Sequence, residues 1–184
     1  NGRPPLLLFN GIGANIELVE PLFDAMHGQG AIVFDVPGVG GSPAPTMPYR
    51  PRTLARMSAR LLDQLGYEQV HVLGVSWGGA LAQQFAFQHA TRCRRLVLAA
   101  TSPGHAMVPG KPSVLFKMAT PRRYKDADYM KRVAGDIYGG AFRGSPELVG
   151  KHLGHVRWSS DYGYYLQLIA AFGWTSLPWL RLLR

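Results

Sequence analysis

The amino-acid sequence predicts an α/β fold in which a mostly parallel sheet is flanked by helices and one end is covered by a helical cap. Through residues 1–103, short apolar runs alternate with longer helical patterns, an order typical of parallel sheets covered on both faces. From residue 104 to 184 the patterns are helical and no clear strand is present. We therefore expect a core at 1–103 and a helical cap at 104–184.

Each predicted strand is a short apolar run bounded by glycine, proline or charged residues, as expected for buried strands. Each predicted helix carries apolar residues at the three- and four-residue spacing of one helix face. The loops at 10–15 and 35–42 are rich in glycine, and the loop at 43–51 is rich in proline. The predicted strands are 6–9, 31–34, 70–73 and 96–100; the predicted helices are about 17–27, 53–66, 80–86, 128–137, 146–157 and 162–172.

Composition narrows the possible function classes. The 184 residues are 47% hydrophobic, enough for one domain with a sizeable core, and no apolar run approaches the roughly 18 residues of a membrane span. The net charge of +9 comes from scattered basic residues without a nucleic-acid-binding motif, so we expect a solvated basic face and no nucleic-acid partner. The single cysteine, Cys93, has no metal-ligand spacing around it and is interpreted as structural, which fits a cytoplasmic protein.

The two ends of the sequence suggest a fragment. It begins at Asn1 without an initiator methionine and stops at Arg184 within an apolar pattern. We therefore expect a fold that is truncated at both ends.

The pentapeptide at 74–78, Gly-Val-Ser-Trp-Gly, is the main functional signal. It joins a predicted strand directly to a predicted helix, which is the context of the nucleophile elbow of the α/β-hydrolase fold. Ser76 is the predicted nucleophile, and Gly74 and Gly78 are needed because a Cβ there would clash across the turn. The alternative is a purely structural glycine-rich turn.

The loop after the first strand is expected to complete an oxyanion hole. In this fold one donor is the N–H of the residue after the nucleophile, here Trp77, and the other comes from a loop after an earlier strand. The N–H of Ile12 is the natural second donor, with Gly11 allowing close approach of the backbone to the substrate. A mere tight turn at 10–13 is the alternative.

A catalytic acid and base are not evident in this chain. The fold requires the order Ser, then Asp or Glu, then His, each after a later strand, but only Asp161 follows the last histidine. Asp35 precedes Ser76 and is expected to bind loop N–H groups, beside Gly38 and Gly40 with positive φ. The isolated chain is therefore expected to be inactive. The histidines after Ser76, to which we assign polar rather than metal-binding roles, are His89, His105, His152 and His155.

Three sequence blocks of the predicted core, 8–15, 34–42 and 74–86, resemble the intracellular medium-chain-length polyhydroxyalkanoate depolymerases of bacteria. Blocks 107–112, 137–140 and 173–176 resemble the cap of that family. The resemblance implies a Ser-His-Asp hydrolase that cleaves ester bonds of poly(3-hydroxyalkanoate) stored in granules, with Ser76 as the nucleophile. We expect no cofactor and no metal. The resemblance places the family's Asp and His beyond the end of this chain.

Two alternatives stay open at this point. A general carboxylesterase or lipase would use the same elbow on a small ester, whereas a non-catalytic granule-binding scaffold would keep the fold without a triad. The aromatic cap suits an apolar polyester or a granule surface, and core packing explains those aromatics about as well. The expected partner is therefore a polyester or small ester substrate, with the storage-granule surface as a further candidate.

Overall fold

The computed structural model describes residues 3–105, 110–158 and 160–183. In the described residues four strands form one parallel sheet, as the sequence predicts, and their order is β2-β1-β3-β4. Strand β4 begins before the predicted position, and β3 continues to the residue just before Ser76. The strands are β1 (Leu6–Phe9), β2 (Ala31–Val33), β3 (Val70–Val75) and β4 (Cys93–Ala99).

Eight α-helices accompany the sheet in the described residues. The predicted helix at 17–27 is instead a 3₁₀ turn (Ile16–Val19) followed by the short α1, because Pro21 lies in the first turn of α1 and is tolerated only there. Helices α4 and α5 were not predicted from the sequence. The helices are α1 (Glu20–Ala25), α2 (Pro51–Gln64), α3 (Trp77–Gln88), α4 (Pro112–Met118), α5 (Arg122–Lys125), α6 (Ala127–Ile137), α7 (Pro146–His155) and α8 (Asp161–Ala171).

Helix α2 packs on α3 through a narrower face than its sequence pattern predicts. Leu54 and Leu62 are fully buried, but Met57 and Leu65, which share the predicted apolar stripe, are exposed. Small residues complete the buried face instead, among them Ser58, whose hydroxyl donates to the carbonyl of Leu54 at 2.8 Å. Small side chains allow the two helices to approach closely. The residues of α2 that are buried are therefore those that face α3, whether or not they are strongly hydrophobic.

The main core joins the sheet, α2, α3 and part of the C-terminal half. Leu7, Val72 and Phe85 are fully buried at its centre, and Leu166 and Ala170 of α8 belong to the same cluster. A second cluster surrounds Ile12, Tyr124 and Tyr164 beside the loop after β1. Helix α8 is thus anchored in the core of the sheet as well as in the cap. Of the predicted cap block 107–112, residues 107–109 lie outside the described residues.

Asp35 organises the loop after β2. Its carboxylate accepts hydrogen bonds from the N–H groups of Ile16 and Gly41, both at 2.9 Å. Burial raises its pKa, against the lowering effect of those two hydrogen bonds. Gly38 and Gly40 have φ of 88° and 52°, and a Cβ on Gly40 would lie 2.0 Å from Asp35 Oδ2. Asp35 therefore holds this loop next to the loop that follows β1.

The described residues contain no helix that is long and apolar enough to cross a membrane. They also contain no group of three potential metal-binding side chains. Burial raises the pKa of the Cys93 thiol to about 11, so the thiolate form that binds metals and reacts is scarce at neutral pH.

Candidate active site

Ser76 lies in a strained turn between β3 and α3. Its φ of 54° and ψ of −120° fall in a region that costs a residue with a side chain roughly 1–3 kcal/mol. Its N–H donates to the carbonyl of Ala99 at 2.9 Å. Its carbonyl accepts from Thr101 Oγ1 at 2.7 Å and from the N–H of Gly79 at 2.9 Å. The main-chain groups of Ser76 are thus held from β4 and α3, which leaves its side chain facing a cavity.

Glycines at the elbow make room for main-chain atoms. A Cβ on Gly74 would lie 2.5 Å from the Cβ of Ala82, and one on Gly78 would lie 2.1 Å from the carbonyl oxygen of Phe9. Side chains at these positions would therefore push β3 from α3 and α3 from the end of β1. The close approach at Gly78 brings the start of α3 next to the loop that carries Ile12.

The loop after β1 reaches Ser76. A Cβ on Gly11 would lie 3.7 Å from the Cβ of Ser76, and the carbonyl of Gly11 accepts from the N–H of Ala14 at 3.1 Å. Ile12, Ser76 and Trp77 line the same cavity. In the described part of the chain, neither the N–H of Ile12 nor that of Trp77 donates a hydrogen bond. Two unused N–H groups beside a serine are what an oxyanion hole requires.

The cap binds this loop directly, through residues that the sequence reading did not single out. The carbonyl of Ile12 accepts from the hydroxyl of Tyr124 at 2.8 Å and from Nη2 of Arg123 at 3.0 Å. The N–H of Gly13 donates to Oε1 of Gln167 at 2.6 Å. The carbonyl of Gln167 in turn accepts from the indole Nε1 of Trp77 at 2.8 Å. Both candidate oxyanion residues are therefore tied to the cap.

The cavity above Ser76 has a volume of about 610 Å³. Its walls come from the elbow and α3, from the segment after β4, and from α4 and α8 with the segment after it. The last group includes Leu115, Met118, Leu168 and Trp174. A mainly apolar cavity of this size, with a few polar groups at one end, is typical of small-molecule sites. It can hold an aliphatic chain beside the serine.

The histidines have partners other than Ser76. His105 lines the cavity, and its Nδ1 lies 3.0 Å from the carbonyl oxygen of Trp174. Burial, then the charges of Arg123 and His155, lower the pKa of His152. Among the described residues, the one histidine within 4.0 Å of a carboxylate oxygen is His155, whose Nε2 lies 4.0 Å from Oε2 of Glu20. The described residues therefore show no acid–base pair at the serine.

The fold matches that of known proteins. A family model described as "alpha/beta hydrolase fold" matches residues 4–158. A poly(3-hydroxyalkanoate) depolymerase of Ectopseudomonas oleovorans is 57% identical over 183 residues, which is 97% of this chain and 65% of that protein. A proline iminopeptidase of Clostridium botulinum is 31% identical over 58% of this chain and 38% of its own length. The chain thus spans about 65% of the depolymerase that it matches.

Solved structures agree with the architecture. A hydrolase from Pseudomonas aeruginosa superposes with a TM-score of 0.73 at 24% identity, covering 100% of this chain and 70% of that one. An esterase from Exiguobacterium antarcticum gives a TM-score of 0.73 at 23% identity, covering 96% of this chain and 68% of that one. At these identities the likeness shows the fold alone.

Proposed function

This chain belongs to the α/β-hydrolase fold family, and from that premise we propose that it is the part of a serine hydrolase that carries the nucleophile. The full-length protein would cleave ester bonds of intracellular poly(3-hydroxyalkanoate) through a Ser76 acyl-enzyme. The observation that carries the proposal is the position of Ser76 on a strained elbow, facing an apolar cavity beside two unused N–H groups. The 57% identity to the depolymerase supports the substrate class.

In the proposed reaction, Ser76 Oγ attacks the carbonyl carbon of the ester while its proton passes to a base. The carbonyl oxygen becomes an oxyanion that accepts hydrogen bonds from the N–H groups of Ile12 and Trp77. Trp77 begins the twelve-residue α3, whose positive end also favours negative charge. The alcohol leaves with a proton returned by the base, and water then hydrolyses the acyl-enzyme.

The acid and base of the triad are proposed to lie outside these 184 residues. The contacts of the described histidines support this, because none of them pairs with both Ser76 and a carboxylate. The 184-residue chain on its own is accordingly expected to be inactive. We propose residues 1–103 as the catalytic core and 104–184 as the cap.

Two exposed aromatic side chains, each next in sequence to a residue that lines the cavity, support a granule-surface role and a cytoplasmic location. Phe116 of α4 is 77% exposed and Phe172, just after α8, is 82% exposed. Each adjoins residues that line the cavity, Leu115 and Ala171 respectively. Exposed large apolar side chains are typical of surfaces that dock on apolar partners, and an aliphatic polyester is such a partner.

The test uses the full-length protein with polymer granules and with short p-nitrophenyl esters. A fluorophosphonate should label Ser76, and Ser76→Ala should abolish both labelling and hydrolysis. Ser113→Ala is the matched control, because Ser113 is exposed on α4 and should leave both unchanged. Hydrolysis that survives in Ser76→Ala would refute the proposal.

The same assay separates the alternatives. Ser76-dependent cleavage of short esters without any cleavage of polymer would indicate a general carboxylesterase or lipase. Granule binding without labelling or hydrolysis would indicate a non-catalytic scaffold.

A further inference from the structure

We propose that the cap positions the oxyanion hole: Arg123 and Tyr124 of α5 and Gln167 of α8 hold the loop after β1 so that the N–H of Ile12 stays available to the reacting oxygen. This inference rests on the proposed function of Ser76. The three side chains are positioning residues, since none of them belongs to the cavity lining beside the serine. Their role is to hold the backbone of the loop after β1 from outside the cavity.

The peptide between Ile12 and Gly13 is held at both of its polar groups. Its carbonyl accepts from the Tyr124 hydroxyl at 2.8 Å and from Arg123 Nη2 at 3.0 Å, and its N–H donates to Gln167 Oε1 at 2.6 Å. The preceding peptide is held by the bond from the N–H of Ala14 to the carbonyl of Gly11 at 3.1 Å. The N–H of Ile12 belongs to that preceding peptide, so its direction is set by the fixed peptides on both sides of the Ile12 Cα.

The burial of Arg123 indicates that these hydrogen bonds matter. Its side chain is 3% exposed, and a buried charge is costly unless it is well bonded. Among the described residues it makes no ion pair; it donates instead to the hydroxyls of Tyr124 and Tyr164 and to the carbonyl of Ile12. Its guanidinium also lies 4.6 Å from the centre of the Tyr124 ring, a favourable cation–π distance. An apolar side chain would fill this space without burying a charge, but it could not hold the carbonyl.

The loop after β1 is closely packed against the cap. Gly13 has a φ of 71°, and a Cβ there would lie 2.6 Å from the ring of Tyr124 and 2.7 Å from that of Tyr164. Gln167 adds a second restraint, because its carbonyl accepts from the indole of Trp77 while its side chain holds Gly13. Gln167 of α8 therefore contacts both parts of the proposed oxyanion hole, the Ile12 loop and Trp77.

The decisive experiment compares two tyrosine-to-phenylalanine variants of the full-length protein. Tyr124→Phe removes a hydroxyl that donates to the carbonyl of Ile12, whereas Tyr164→Phe removes the hydroxyl of another buried tyrosine, which donates to the carbonyl of Met118 at 2.7 Å. Both hydroxyls accept from Arg123, so the pair differs in the carbonyl that each hydroxyl donates to, Ile12 for Tyr124 and Met118 for Tyr164. Gln167→Met provides a second test, because it removes the acceptor for Gly13 at similar volume.

We expect Tyr124→Phe and Gln167→Met to lower kcat on a p-nitrophenyl ester about tenfold or more, since small misplacements of catalytic groups cost up to roughly a hundredfold. KM should stay within about twofold, because the donor acts on charge that develops in the transition state. The rate of Ser76 labelling by a fluorophosphonate should fall in parallel. Tyr164→Phe should match the wild type in kcat, KM and labelling.

Each outcome decides a different point. If Tyr124→Phe and Gln167→Met, both folded, keep the wild-type kcat and labelling rate while Ser76→Ala is inactive, the positioning role is wrong and the serine hydrolase stands. If Tyr164→Phe loses as much kcat as Tyr124→Phe, the effect is general packing and the positioning role is again wrong. If the protein labels at Ser76 but cleaves no ester, the labelling rates still decide the positioning role. If Ser76 is not labelled in the wild type, the proposed function fails and this inference fails with it.

Discussion

Replacing Gly79 by alanine tests how rigidly the nucleophile elbow is held. A Cβ on Gly79 would lie 2.2 Å from Oγ1, 2.4 Å from Cβ and 2.5 Å from Cγ2 of Thr101. Threonine cannot simply rotate away, because its Oγ1 donates to the carbonyl of Ser76 at 2.7 Å and its Cβ moves only with the backbone. To relieve the clash, the backbone of the segment after β4 and the turn at Ser76 must therefore shift.

The expected loss of stability combines two opposing effects. Overpacking a close-packed site costs about 1–3 kcal/mol, and with three contacts below 3.0 Å we take the upper value of about 3 kcal/mol for Gly79→Ala. Alanine gains roughly 1 kcal/mol over glycine in a helix. The net loss is about 2 kcal/mol, which in a protein of this size lowers the Tm by roughly 4–8 °C.

The assay is thermal unfolding of the full-length protein with a matched control and a double variant. Gly150→Ala is the control, because Gly150 lies within α7 with no atom within 4 Å of its Cβ position, so that the alanine should stabilise by up to about 1 kcal/mol. Thr101→Gly removes all three clashing atoms, so combining it with Gly79→Ala should recover the clash of about 3 kcal/mol relative to the sum of the single changes. Additive single changes, or a Gly79→Ala variant as stable as Gly150→Ala, would refute the reasoning.

Two further predictions concern the elbow and three half-buried histidines. Ser76→Gly should unfold with a free energy about 1 kcal/mol higher than Ser76→Ala, because glycine relieves the strain at a φ of 54°; equal denaturant midpoints would contradict this. Burial lowers the pKa of His71, His89 and His152 from the ordinary value of 6.5, so the folded state binds fewer protons than the unfolded state. Their stabilising contribution is present above pH 6.5 and lost as the pH falls below it; the Tm should therefore drop between pH 7.5 and 5, and His152→Gln should flatten that drop.

The sequence predicts the elbow and the sheet because both depend on local signals. An apolar run followed at once by a glycine-flanked serine and a helical pattern identifies Ser76 without any distant contact. The start of α4 also had a local signal in Pro112, which occupies the first turn of that helix. Its seven residues, and the four of α5, are too few to show a helical period, so both helices were missed.

The residues behind the oxyanion loop could not be found in the same way. Arg123 and Gln167 bind Ile12 and Gly13 across 111 and 154 residues of sequence, and neither side chain forms a motif with its neighbours. Arg122 illustrates the difficulty, because it is an arginine next to Arg123 that forms an exposed i,i+4 pair with Asp126. Only the packing of α5 against the loop distinguishes the buried cation from the exposed one.

Different residues hold the proposed oxyanion hole and line the cavity, so substrate specificity can change without loss of the oxyanion hole. The proposed nucleophile and both proposed donors precede β4 in the chain, but the hydrogen bonds that hold Ile12, Gly13 and the Trp77 side chain are made with α5 and α8. The cavity wall uses other residues of α4 and α8, such as Leu115 and Leu168. Substitutions that reshape the wall while keeping Arg123 and Gln167 should therefore alter the preferred ester with little loss of kcat, whereas any change that shifts α8 as a whole alters the oxyanion hole as well.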